Sequence, residues 1–215
     1  MKAIITLLAS ATLLAGQAWA QAPAGTYAVT VTNLTKTQNF TPIIAASHSA
    51  DIAFFEAGQP AIEPIAVLAE SGSPVPLETL LTTVPDLVLD TAINGGLLGP
   101  GESATLYVEA HPGFDRLSLA AMLIPTNDTF VAVNSLPLPN KTTAVFAHAW
   151  DAGSEENDEL CASIPGPPCF GEGLSEADGE GFVHLANGIS GAADLDAGAY
   201  DWRGPVARVS VRRMR

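Results

Sequence analysis

Residues 150–159 carry the side chains best suited to binding a metal ion. Five of the nine positions from Asp151 onward are acidic: Asp151, Glu155, Glu156, Asp158 and Glu159. Hard cations such as Ca²⁺ need oxygen ligands, and carboxylates spaced closely along a turn can surround one. A second acidic candidate, Asp128, ends the segment 124–128. We predict a cation site if the fold brings these two segments together.

Strand ends must position these acids. Alternating, β-branched segments predict strands at 27–32, 103–109, 116–124, 129–133, 142–148, 181–186 and 206–211. Segments rich in Ala, Leu, Ile and Glu predict helices at 50–57 and 62–70 and a further helical turn at 77–82. Ser49 and Asp51 are candidate caps of the first helix. Gly58 and Gly72 are candidate ends of the first and second helices. Clusters of Gly, Pro, Asn and Asp separate the strands, which is typical of an all-β sandwich.

The first residues predict a secretory signal peptide. Lys2 precedes an apolar stretch at 3–16, and Ala18-Trp19-Ala20 has the form of a cleavage site. We therefore expect 1–20 to be removed and 21–215 to form one exported domain, secreted or periplasmic, without a transmembrane segment.

The charge of the chain narrows the class of partner. The formal net charge is −14, which disfavours nucleic acids and anionic membrane surfaces and favours cations. Most of the positive charge comes late in the sequence, as Arg203, Arg208, Arg212, Arg213 and Arg215. We interpret these arginines as the solvated face of a last strand; a basic docking patch is the alternative.

The two cysteines predict a structural disulfide. Cys161 and Cys169 flank Ile-Pro-Gly-Pro-Pro, and in an exported protein such a pair closes a small loop. In the chain-entropy model this contributes about 2–3 kcal/mol.

Several segments resemble the spondin N-terminal domain family. His48-Ser49-Ala50-Asp51 resembles its His-Ser-x-Asp segment, and the run from Pro125 through Asp128 to Val133 resembles its Pro-x-x-Asp-aromatic-Val-Gly-Val core. Trp150-Asp151-Ala152-Gly153-Ser154-Glu155 resembles its aromatic-Asp-Ala-Gly-Thr-Asp turn, and 205–209 resembles its closing strand. The matches occur in order, as in the stand-alone exported bacterial versions of this domain.

The resemblance implies a mainly β fold, an antiparallel C2-like β-sandwich with a few short helices, binding one divalent cation, usually Ca²⁺, at an edge. Carried over by motif, the ligands are Asp128, Asp151 and Glu155, and Glu109 matches a further acidic position. Glu155 stands where the family has Asp, and Glu156, Asp158 and Glu159 would add ligands or a second site.

The function that the resemblance implies is adhesion or ligand binding, with an unidentified protein or glycan partner and no catalysis. Two alternatives remain open. One is a metal-assisted hydrolase that uses the same acids, although the sequence offers no convincing histidine as its general base; His148, close to Asp151, is a candidate to orient a metal ligand. The other is a structural exported protein in which Ca²⁺ only stabilises the fold.

Overall fold

The computed structural model describes residues 23–175 and 179–215, so the predicted signal peptide at 1–20 lies outside the described residues. The strands are β1 (Gly25–Asn33), β2 (Asn39–Phe40), β3 (Ile44–His48), β4 (Val88–Ile93), β5 (Ser103–Ala110), β6 (Arg116–Ile124), β7 (Thr129–Pro137), β8 (Thr142–Asp151), β9 (His184–Leu185) and β10 (Ala207–Arg213). The helices are α1 (Glu63–Ser71), α2 (Val75–Thr82), α3 (Ala197–Tyr200) and a 3₁₀ turn at Cys161–Ser163.

The described strands form one antiparallel sheet. Its order is β4-β3-β6-β7-β8-β10-β1-β5, with β2 paired to β6 and β9 paired to β8. The two outermost strands, β4 and β5, lie close to each other. The backbone N–H of Glu109 in β5 donates to the Asp90 carboxylate in β4 at 2.8 Å. The sheet is therefore nearly closed on itself, and the predicted mainly antiparallel β fold with short helices is confirmed.

The two faces of the sheet have different surroundings. The inner face buries Tyr27, Val29, Leu119 and Val209 in the larger hydrophobic core. On the outer face, α1 packs on β6 and β7 and α2 packs on β4, and together with β3 they form a second core around Ile65 and Phe130. Strands β8, β10 and β5 have no such cover and alternate between buried and exposed residues. Half of the outer face is therefore exposed.

The predicted helix at 50–57 is wrong. This segment forms turns, and its polar backbone groups bind β7 instead of one another: Phe54 N–H donates to Asn134 Oδ1 (2.9 Å), and Asn134 Nδ2 donates to Phe55 O (2.7 Å). Ser49 and Asp51 consequently cap no helix there. The other helical predictions are confirmed as α1 and α2, and Gly72 ends α1 with φ of 72° as predicted.

Three of the described strands were not predicted: the two-residue β2, and β3 and β4. Every residue of β3 is buried, because the strand lies between the two cores, and a strand buried on both faces shows no alternation. Strand β4 was missed as well, and the predicted strand at 181–186 is shortened to β9.

The predicted disulfide is confirmed: Cys161 is bonded to Cys169. The bridge packs beside Ile164, Ile189 and Leu195, which form a third, small cluster. Within the described ranges, no helix is long and apolar enough to cross a membrane.

Candidate metal centre

Asp128 occupies the turn between β6 and β7. The Thr126 hydroxyl donates to Leu123 O at 2.6 Å and accepts from Thr129 N–H at 3.3 Å, which closes the turn. Asp128 is completely buried. The turn therefore holds a carboxylate inside the protein at the end of the sheet.

Asp151 is the last residue of β8 and pairs with Thr129, the first residue of β7. This register sets Asp151 beside the turn that carries Asp128. Ala152 N–H then donates to Asp128 O at 3.2 Å. The fold thus brings together the two acidic segments that the sequence indicated.

Gly153 turns the chain around these two carboxylates. Its N–H donates to Asp151 Oδ1 at 2.8 Å, and its φ is 64°. A Cβ at this position would lie 2.3 Å from the backbone oxygen of Phe182. Only glycine fits, because the left-handed backbone and the close approach of a second segment both exclude a side chain.

The Asp128 carboxylate is only partly satisfied. Its Oδ2 accepts from Ser154 N–H (2.8 Å) and Glu155 N–H (3.1 Å). Its Oδ1 is buried and has no hydrogen-bond partner among the described residues. Burial, and then the nearby charge of Asp151, raise the pKa of Asp128 to about 7, against the opposing effect of the two amides. A buried oxygen of this kind needs either a proton or a cation to compensate for its lost hydration.

Asp151 shares the same region with two residues from a distant part of the sequence. Asp151, Glu180 and His184 each present a ligand atom within 4.8 Å of the others. His184 Nε2 lies 3.5 Å from Asp151 Oδ1 and 3.7 Å from Glu180 Oε2. Asn157 Nδ2 donates to Asp151 Oδ2 at 2.9 Å. Burial raises the pKa of Asp151, and its hydrogen bonds from Asn157 and Gly153 oppose that rise.

The His184 ring is oriented as a metal ligand would be. Nδ1 lies 2.9 Å from the Leu185 carbonyl oxygen, so Nδ1 carries the proton in the neutral ring. Nε2 then carries the lone pair and faces two carboxylates. It is buried and has no hydrogen-bond partner in the described ranges. Metal-bound histidines commonly donate their other N–H to a backbone carbonyl in this way.

His184 also responds to its acidic surroundings. Burial lowers its pKa, but the hydrogen bond to Leu185 and the charges of Asp151 and Glu180 outweigh this and raise the pKa above its usual value. A proton or a metal ion on Nε2 would both relieve the same concentration of negative charge.

Glu155 lies next to this centre but turns its carboxyl group towards α1. The side chain is buried, and both carboxylate oxygens lack a hydrogen bond of good geometry to any described residue. Burial raises its pKa to about 7, nearby Ser175 and Asn127 oppose the rise, and the charge of Glu70 adds to it. Glu155 is thus a second partner-poor buried carboxylate beside Asp128.

The remaining acids of the segment are engaged elsewhere or exposed. Asp158 Oδ1 accepts from Asn127 Nδ2 at 3.0 Å and from Leu160 N–H at 2.9 Å. The Glu159 carboxylate accepts the N–H groups of residues 190–192 and thereby anchors that loop. Glu156 is exposed.

The structure does not bring Glu109 to this centre. Glu109 pairs with Thr26 of β1, whose Oγ1 donates to its carboxylate at 2.6 Å. Thr26 lies beside Met214, next to the Thr142 end of β8. Asp151 ends the same strand nine residues away, or roughly 30 Å along an extended strand.

His148 does not contact Asp151 either. It is exposed and pairs with Ala132 in the sheet. The two residues are three positions apart in one strand, so their side chains lie on opposite faces.

Sequence reasoning missed Glu180 and His184. The signal for them is strand pairing, since Asp151 pairs with His184 in the β8–β9 ladder. Glu180 and His184 are also spaced four residues apart. Neither pattern points to Asp151 before the pairing is known.

Comparison with known proteins adds one family. The family model described as Spondin_N matches residues 19–159, more than half of the chain. The matched range contains Asp128, Asp151 and Glu155, whereas Glu180 and His184 follow it. No curated protein matches this chain. The resemblance inferred from the motifs is therefore confirmed.

Proposed function

The chain belongs to the Spondin_N family, and we propose that it is an exported adhesion or ligand-binding domain that holds one divalent cation. Membership of this family suggests an extracellular, ligand-binding module. Ca²⁺ is our first assignment. Asp128, Asp151 and Glu180 supply carboxylates at the end of β8. Glu155 stays in the proposed ligand set because it stands at the acidic position of the family motif and its backbone N–H binds Asp128, although its buried carboxyl group lies near Ser175, Glu70 and Asn127. Glu109 is left out, because it lies at the other end of β8.

One observation carries this proposal. Asp128 and Asp151 are both buried at adjacent strand ends, and one Asp128 oxygen has no hydrogen-bond partner in the described part of the chain. Two charged carboxylates buried together destabilise a fold by several kcal/mol unless a cation or a proton neutralises them. Three or four carboxylates, with carbonyls and waters, satisfy the six to eight oxygen ligands that Ca²⁺ takes.

The His184 ring favours a second candidate ion. Ca²⁺ prefers oxygen ligands, whereas an imidazole nitrogen with two or three carboxylates suits a first-row ion such as Zn²⁺ or Mn²⁺. Nε2 of His184, 3.5 Å from Asp151 Oδ1, supplies that nitrogen. The identity of the ion is therefore decided by whether Nε2 is a ligand.

The position of the site suits binding better than catalysis. Glu180 and His184 are partly exposed while Asp128 and Asp151 are buried, so a bound ion would be reached from one side. A carboxylate of a partner protein or an acidic glycan would complete its coordination. The family is not known for enzymes, and the metal-assisted hydrolase remains the alternative to test.

The experiment is thermal unfolding of residues 21–215 in EDTA and then with Ca²⁺, Mg²⁺, Mn²⁺ or Zn²⁺. A large rise in Tm selective for Ca²⁺ supports the first assignment, and a rise selective for Mn²⁺ or Zn²⁺ supports the second. No rise with any ion would overturn the metal site. Turnover of ester or phosphoester substrates with the stabilising ion would favour the hydrolase.

A further inference from the structure

The exposed half of the sheet carries a basic groove at the end opposite to the candidate metal centre. The groove has a volume of about 960 Å³ and is lined by Asn140, Lys141, Thr142, Arg212, Arg213, Met214 and Arg215. Four of these seven residues are cationic and none is acidic. In a chain of net charge −14, this concentration of positive charge marks a distinct surface, which we call the basic groove.

The charges of the groove are not neutralised internally. Across residues 23–175 and 179–215, no ion pair joins Lys141, Arg212 or Arg215 to an acid. Arg213 Nη2 donates to the Ala24 carbonyl at 2.7 Å, which holds its guanidinium in place without cancelling its charge. Lys141, Arg212 and Arg215 are exposed and available to an external anion.

The strand register extends this surface across the sheet. Arg208 and Arg212 are exposed residues of β10. Arg212 pairs with Ala28 of β1, and Ala28 pairs on its other side with Tyr107 of β5. Arg212 and Tyr107 therefore flank the small Ala28 side chain, roughly 10 Å apart across two strand spacings. Phe146, which pairs with Arg208, exposes 63% of its surface on the same face.

Hydroxyl groups fill the positions between the charged and aromatic residues. Thr30 and Thr105 bond each other through their hydroxyls at 2.8 Å, as do Thr32 and Ser103. These pairs keep further donor and acceptor capacity towards solvent. Arginines, exposed aromatic rings and hydroxyls on one face of the sheet match the carboxylate or sulfate groups, the C–H faces and the hydroxyls of a charged sugar chain.

We propose that the basic groove and the adjoining face of β10, β1 and β5 bind an anionic polysaccharide. The negative net charge of the whole molecule favours a polysaccharide chain over duplex nucleic acid or an anionic membrane. A single flexible chain can contact only the groove and this adjoining face, whereas duplex nucleic acid or an anionic membrane would also face the acidic remainder of the surface. Glu109, the acid on this face, is held by Thr26 at its border.

The test measures binding to dextran sulfate and to alginate, with uncharged dextran as the matched control polymer. Wild type should bind both anionic polymers, ignore dextran, and lose about tenfold in affinity between 50 and 200 mM NaCl, because a few ionic contacts are involved. The pair Lys141→Glu with Arg212→Glu should weaken binding at least about tenfold. The pair Lys36→Glu with Arg203→Glu changes the net charge equally and should leave affinity within about twofold of wild type.

Several results would overturn the proposal. These are equal binding of dextran and dextran sulfate, equal loss in both charge-reversal pairs, and tighter binding to anionic phospholipid vesicles than to either polysaccharide. Self-association in sedimentation velocity that only the groove variants abolish would make a second copy of the chain the occupant instead. Asp128→Asn, at the other end of β8, should bind the polymers like wild type, so failure of the metal site and failure of the groove are distinguishable.

Discussion

Glu155 contacts Asp128 through its backbone rather than its carboxyl group. Glu155 N–H donates to Asp128 Oδ2 at 3.1 Å, and its side chain lies near Asn127, Ser175 and Glu70. The turn that carries Glu155 therefore also orients the Asp128 carboxylate in the turn between β6 and β7. Asp128 is left with Oδ2 held by amides and Oδ1 buried without a hydrogen-bond partner among the described residues.

Neutralising Asp128 should stabilise the protein in the absence of metal. Asp128→Asn keeps the shape and the Oδ2 acceptor but removes one of two adjacent buried charges. At pH 8 in EDTA we expect the free energy of unfolding to rise by about 1–3 kcal/mol. The same variant should lose the rise in Tm caused by the stabilising cation. Urea unfolding with and without the ion measures both effects.

Glu109→Gln is the control for this substitution. It also removes one carboxylate, but from the exposed strand β5, and it should change neither the stability in EDTA nor the response to the ion. Loss of stability in Asp128→Asn with an intact ion response would contradict the proposed centre.

The metal-free protein should lose stability as pH rises from about 4 to 7. The pKa of Asp128 is raised from 3.8 to about 7, so across this window the unfolded state has released a proton that the folded state retains. Stability then decreases with rising pH. The effect is on the order of 4 kcal/mol for Asp128 alone, and the raised pKa of Glu155 acts in the same direction.

Comparison with Asp128→Asn isolates this contribution. Burial lowers the pKa of His48, so His48 makes the free energy of unfolding rise with pH below its usual pKa near 6.5. Wild type and Asp128→Asn share this contribution, so it cancels in the difference between their pH profiles. A pH titration of unfolding in EDTA is the measurement. A saturating cation should abolish the decline, because it keeps both carboxylates charged in the folded state. An identical pH profile for wild type and variant would exclude a raised pKa at Asp128.

Removing the His184 ring should separate the two candidate ions. If Nε2 is a ligand, His184→Ala should weaken Zn²⁺ or Mn²⁺ binding by at least about tenfold and leave the response to Ca²⁺ largely unchanged. Isothermal titration with each ion measures this. His148→Ala removes an exposed ring from β8 and should leave all the affinities unchanged. Equal loss of every ion in His184→Ala would point to general damage to the site.

A side chain at position 153 should disrupt the centre. Gly153→Ala combines a φ of 64° with a Cβ only 2.3 Å from the Phe182 backbone oxygen, so we expect a loss of at least about 3 kcal/mol and a weaker ion response. Gly181→Ala is the matched control, because its φ is 82° but nothing lies within 4 Å of the new Cβ. It should cost about 1–2 kcal/mol. Equal losses in chemical denaturation would show that the close approach at Gly153 has no energetic weight.

The success of the sequence predictions follows local periodicity. Strands β1, β5 and β10 were located because alternation was visible in their own residues, and helix α1 because its segment is rich in Ala, Ile, Leu and Glu. Strand β3 was missed because it is buried on both faces. The helix predicted at 50–57 failed because Asn134, eighty positions after Phe54, binds that segment's backbone.

By itself, the sequence determined the mainly β class, the disulfide, the family and the two acidic turns that carry Asp128 and Asp151, because each depends on residue types at short spacing. The tertiary structure alone decided that Glu180 and His184 join Asp151, that Glu109 lies at the opposite end of β8, and that dispersed cations form a groove in an acidic chain. Strand pairing sets these relationships, and pairing depends on contacts between residues far apart in the sequence, which no local pattern contains.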